Sequence, residues 1–134
     1  MPPTISTNIK RPAQLKEIIE QASSSLGGGK STIVKLGAAW CAPCSRVQPL
    51  FYDFMERYRD DFFWVVVDID ESYELYSFLK SKRVVHGIPA FLRYDAKEEG
   101  SAAIVHAPDD LVVSADPNQL GPFFARCFEK RRSV

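Results

Sequence analysis

The chain reads as an α/β domain with a central mixed sheet of four to five strands and helices on both faces. Three observations predict it. Apolar residues recur at helical spacing in four separate segments, and β-branched or aromatic runs fall between them. The order is αβαβα, then two short strands around a turn, then a last helix, which requires parallel and antiparallel neighbours in one sheet. With 134 residues, 46% of them hydrophobic and 25% charged, the chain suits one domain over residues 1–134 whose core needs no staples.

Each element has its own signal. Leu15, Ile18, Ile19 and Ala22 mark a first helix, with Pro12 in its opening turn. Ser23–Ser25 and Gly27–Gly29 dissolve it into a loop. Thr32–Leu36 reads as a strand running into Gly37-Ala38-Ala39-Trp40 and the pair Cys41 and Cys44. Val47, Leu50, Phe51, Phe54, Met55 and Tyr58 then line one face of a second helix, which Pro49 should kink, freeing the Ser45 carbonyl. Phe62–Asp70 is apolar on both faces, as a buried central strand should be. Ser72–Ser81 makes a short helix carried by Leu75, Phe78 and Leu79. Ala90–Tyr94 and Ser101–Val105 read as strands about a turn at Asp95–Gly100, with Leu111–Val113 either a further strand or an extension. Leu120, Phe123, Phe124, Cys127 and Phe128 face the core from a closing helix, started by Asp116-Pro117 or delayed to Pro122.

Composition excludes several classes. Seventeen basic residues meet seventeen acidic ones, so no bulk field favours nucleic acid or an anionic membrane. The longest apolar run, Phe62–Val67, falls far short of the ~20 residues of a membrane helix. Met1–Lys10 has no apolar signal core, and three cysteines are too few for a disulfide framework, so the expected compartment is the reducing cytoplasm. Gly27–Thr32 imitates the end of a phosphate-binding loop. It lacks the first glycine, however, with Ser24 in its place, and it opens a strand instead of a helix. Lys130–Arg132 suits the C-terminal turn of a helix.

The chemistry centres on Cys41 and Cys44. Cys41 stands where a strand ends and a helix begins, facing unpaired backbone N–H groups and the positive end of the helix dipole. Both favour the thiolate, the attacking species. Cys44 lies one turn on, within reach of a mixed disulfide held on Cys41, while Pro43 limits their separation and Trp40 adds a flat apolar surface. Other readings are weaker. A zinc site needs two further ligands, and only Cys127, His86 and His106 remain, so no metal or other cofactor is expected. The pair could also be inert on a scaffold of this kind. Cys127 shares its stripe with phenylalanines and reads as core, and His86 reads as a solvated loop residue.

WCAPC at Trp40–Cys44, Pro49, VDID at Val67–Asp70 and HGIPAF at His86–Phe91 together resemble the thioredoxin family. The resemblance covers about Thr32–Phe91 and implies a thioredoxin fold and a thiol–disulfide oxidoreductase, an electron carrier that reduces protein disulfides. It implies a cis peptide before Pro89 and a substrate surface made of Trp40, Ala42, Pro43, Ile88 and Pro89. The implied partners are disulfide-containing client proteins and a thioredoxin reductase or small-thiol donor. Two positions depart from the family. Lys35 stands where thioredoxins bury an aspartate, and the family's neighbouring lysine falls at Val66. A cation under the cysteines should tune their pKa toward thiolate, and Asp68 is the expected partner of Lys35 by strand register. Val113 replaces a groove glycine, and His106–Asp110 lengthens the region before the last helix, which together favour a narrower client range. The competing class is a binding module, whose surface at Trp40, Ile88 and Pro89 docks a partner without needing the cysteines.

Overall fold

The computed structural model describes residues 5–131. Its elements run β1 (Ile5–Ser6), α1 (Pro12–Ser23), β2 (Ser31–Gly37), α2 (Ala42–Arg57), β3 (Phe62–Asp68), α3 (Tyr73–Ser81), β4 (Ala90–Tyr94), β5 (Asp110–Val113) and α4 (Pro117–Glu129). The five strands form one sheet in the order β1-β3-β2-β4-β5. β3 is parallel to β1 and β2, whereas β4 is antiparallel to β2 and β5. The mixed sheet with helices on both faces is therefore as the sequence predicts. Among the described residues, no helix is long and apolar enough to cross a membrane.

Strand alternation divides the core into two chemically different layers. Val34, Leu36, Val65, Val67, Ala90 and Leu92 point to one face and pack with Leu15, Ile19, Leu75 and Leu79 of α1 and α3. Ile33, Trp64 and Phe91 point to the other and meet Phe51 and Phe54 of α2 and Phe123 and Phe124 of α4. This second layer is aromatic, and its Phe54 and Phe124 rings stack with centroids 4.5 Å apart. β2 is buried along its whole length at the centre. Leu50 and Phe128, counted on apolar helical faces, are instead 37% and 38% exposed.

Three departures from the sequence reading have physical causes. β1 went unforeseen, because a two-residue strand borrows its definition from the parallel ladder with β3. β3 ends at Asp68, since its carboxylate accepts from the Asp70 N–H at 2.8 Å and turns the chain. Ser101–Val105 is not a strand: the Ala103 N–H donates to the Glu20 carboxylate at 2.8 Å, and the Val105 carbonyl accepts from the Tyr94 hydroxyl at 2.6 Å. The returning strand is Asp110–Val113, which pairs Val113 with Ala90 and Asp110 with Arg93. Of the two starts offered for α4, the structure takes the first: Asp116 is the N-cap, its carboxylate accepts from the Asn118 N–H at 2.9 Å, and Pro122 lies within the helix. The glycine loop links α1 to β2 as expected. At Gly27 a Cβ would stand 2.0 Å from the Gln21 carbonyl oxygen, so only glycine fits that approach.

Candidate active site

β2 delivers the chain to the C-terminal edge of the sheet, and α2 begins there at Ala42 with Cys41 as its N-cap. Ala42 and Pro43 occupy the first helical positions, where proline costs no hydrogen bond. The Cys44 N–H donates to Cys41 Sγ at 3.2 Å, so an otherwise unpaired amide of the first turn points at that sulfur. Cys41 and Cys44 form a disulfide with Cα atoms 5.2 Å apart. Both are buried, at 5% and 4% exposure.

The surroundings assemble from three connections. Trp40 is 67% exposed, yet its indole N–H donates to the Asp70 carboxylate at 2.8 Å. The Ile88–Pro89 bond is cis. Because Ala90 pairs with Leu36, residues 88 and 89 lie beside the edge of β2 that leads to Cys41. Ile88 and Val113 are partly buried against the aliphatic core, which puts the bulk of Val113 next to this edge. Ala42 is exposed, Pro43 half-buried and His86 exposed. Cys127 lies in the aromatic core as a free thiol, and burial pushes its pKa up to about 12, against the opposing influence of Arg93. No group of three or more His, Cys, Asp or Glu side chains among the described residues is arranged to hold a metal ion.

Lys35 requires a correction. It is buried at 5% exposure and points toward α2, but it does not pair with Asp68. Its ammonium lies over the Phe51 and Tyr52 rings, 5.4 Å from each centroid. The Asp68 carboxylate faces its own turn instead. With no carboxylate paired to it among the described residues, burial holds the Lys35 pKa below the ordinary lysine range. The family register does hold: a cavity of about 370 Å³ is lined by Lys35, Cys44, Gln48, Tyr52, Val66 and Asp68 among others. Tyr52 and Gln48 escape a reading by periodicity, because they stand off the apolar stripe of α2.

A strand–Cys-x-x-Cys–helix unit in a mixed sheet, with its cysteines at disulfide distance, is the architecture of a thiol–disulfide oxidoreductase. A family model described as Thioredoxin matches residues 9–114. The chain belongs to the thioredoxin family. It is 30% identical over 89 residues to Thioredoxin-1 of Schizosaccharomyces pombe, covering 66% of this chain and 82% of that protein. It is 31% identical over 105 residues to the chloroplastic thioredoxin-like protein HCF164 of Arabidopsis thaliana, covering 72% of this chain and 38% of that one. Against Thioredoxin H5 of Oryza sativa subsp. japonica it is 37% identical over 83 residues, covering 62% and 58%. The chain thus spans less than two thirds of the latter two relatives. A poplar thioredoxin h structure superposes with a TM-score of 0.64 at 19% identity over 98% of this chain and 99% of that one, a likeness of fold.

Proposed function

We propose that this protein reduces disulfides in a restricted set of client proteins. Cys41 thiolate attacks a client disulfide and forms a mixed disulfide, and one client sulfur leaves as thiolate. Cys44 then attacks Cys41 Sγ, releasing the second client sulfur and closing the Cys41–Cys44 bond. Two electrons pass to the client, and a thioredoxin reductase or a small thiol restores the dithiol. The amide that Cys44 directs at Cys41 Sγ is the observation that carries this reading, because it favours negative charge on that sulfur. Trp40, Ala42, Pro43 and the Ile88–Pro89 segment form the docking surface in this scheme, and Val113 narrows it. The low, odd cysteine count supports a reducing compartment, the cytoplasm.

Trapping tests the scheme. Cys44→Ser should hold clients on Cys41 as adducts that dithiothreitol releases, and the wild-type protein should reduce insulin. Adding Val113→Gly to Cys44→Ser should broaden the captured set. If Cys44→Ser captures no more protein from lysate than the double cysteine mutant, and insulin stays oxidised, the fold serves binding alone.

A further inference from the structure

Lys35 has no step in the proposed exchange, yet the fold keeps its ammonium buried, at 5% exposure. Burial strips hydration from the charge, and the Phe51 and Tyr52 ring faces replace only part of it. No carboxylate among the described residues pairs with it. Beside it lies the cavity of about 370 Å³. Gly37 keeps the inner end of that cavity clear: a Cβ built there would lie 4.0 Å from Lys35 Cε and 3.5 Å from Cys44 Sγ. At the rim Ala39, Ser45 and Tyr52 are exposed, so a small solute can enter from the surface.

We propose that this cavity is a binding site for a small monovalent carboxylate, held by the Lys35 ammonium and the Tyr52 hydroxyl. The donors suit that group. The Tyr52 oxygen accepts from Gln48 Nε2 at 3.3 Å, which leaves its own O–H free to donate. Lys35 Nζ stands 5.4 Å from the centroid of the Tyr52 ring, so the two donors share one wall. A carboxylate has two acceptor oxygens, one for the ammonium and one for the hydroxyl. Ala38, Val66 and Val67 add apolar lining that suits a short aliphatic stem.

The wall also limits the charge. Asp68 lines the cavity, and although its carboxylate accepts from the Asp70 N–H and faces its own turn, it repels a dianion such as phosphate more than a monoanion. The Ser45 hydroxyl already donates to the Cys41 carbonyl at 3.4 Å and takes no part. An occupant of this kind gives Lys35 the anion that the chain itself does not supply, and burial then ceases to work against the ammonium. A free acid and an acidic side chain of a docked protein present the same group, which the experiment separates. The site does not depend on the dithiol reading, because it is present in the disulfide form.

The test follows thermal unfolding of the oxidised full chain against propionate, with chloride holding the ionic strength constant. An acid this small on two donors should bind with a Kd on the order of 1 mM. Propionate at about 10 mM should then raise Tm by roughly 4–6 °C. Propionamide, of the same shape but uncharged, should give no shift. Lys35→Met should abolish the response, with Lys35→Gln in its place if that variant does not fold, and Tyr52→Phe should weaken binding about tenfold. A capped tripeptide with a central glutamate is the second arm. Tighter binding than propionate assigns the site to the side chain of a docked protein, and weaker binding assigns it to a free acid. No saturable rise with either probe overturns the proposal, as does an equal rise with propionamide or in Lys35→Met. None of these failures touches insulin reduction, so the two readings fall separately.

Discussion

The aromatic face of the sheet buries a cation toward each end, and each cation has a cysteine for a neighbour. At one end Arg93, 5% exposed, donates to Asp95 at 2.7 Å and to Asp110 at 3.2 Å. Asp110 also accepts from Arg126 of α4 at 2.6 Å. Burial alone would lower the Arg93 pKa, but the Asp95 carboxylate outweighs it and the net direction is up. Cys127 lies near Arg93, and its thiol stays protonated. At the other end Lys35, equally buried, has ring faces and, among the described residues, no paired carboxylate, and its pKa goes down. The contrast teaches that burial does not decide what a cation does: the supply of carboxylates does. A saturated cation braces the fold, and an unsaturated one carries the cost of its burial.

The widest gap between the two ends should appear in thiol reactivity. With a pKa of about 12, Cys127 holds roughly one part in 10⁵ as thiolate at pH 7. After reduction, brief iodoacetamide treatment should label Cys41 first, with Cys127 at least about 10³-fold slower. Peptide mass mapping checks this: equal labelling of Cys127 would remove the asymmetry between the ends, and equal labelling of Cys44 would remove the choice of Cys41 as nucleophile.

Stability should respond next, and with opposite signs. Asp110→Ala strips a carboxylate from two arginines, one of them buried, and should cost about 2–3 kcal/mol in urea unfolding. A loss below 0.5 kcal/mol (an order-of-magnitude bound for an exposed pair) would mean that Asp95 alone satisfies Arg93.

Lys35→Met should instead stabilise the fold, by about 1–2 kcal/mol at pH 7, since it removes a buried charge without a partner. The pH dependence carries the sign. A lowered folded pKa means that the unfolded chain binds more protons between that value and the ordinary 10.5. Wild-type stability therefore rises with pH across that window and is lowest below it. The advantage of Lys35→Met should be greatest at neutral pH and shrink as pH approaches 10.5. An advantage independent of pH would point to packing in place of charge.

The sequence carried the fold and the pair further than it carried the pair's surroundings. α1 and α2 announce themselves through 3.6-residue spacing, and the placement of Cys41 at the start of α2 follows from the strand before it. The cis Ile88–Pro89 bond came only through family resemblance, since nothing local in HGIPAF demands it. Ser101–Val105 misled because its side chains do alternate, with Ala103 and Val105 buried, while their backbone bonds go to side chains of α1 and β4. Register placed Lys35 under Cys44 but chose the wrong partner. Nothing in one-dimensional spacing says that Asp68 would spend its carboxylate on its own turn, two residues on, or that Tyr52 would offer a ring.

The hydrogen bond from Trp40 to Asp70 has an entropic meaning. An exposed indole ordinarily samples several orientations and must give them up when a partner packs against it, at about 0.5–1.5 kcal/mol for an immobilised side chain. Here folding has already taken that freedom away. In the proposed reduction, a client arriving at the edge of the pair meets a wall that is standing still, so less of its binding energy is consumed in ordering the surface. Weak, brief encounters can then still be oriented ones, which suits the proposed release of each client after two electrons.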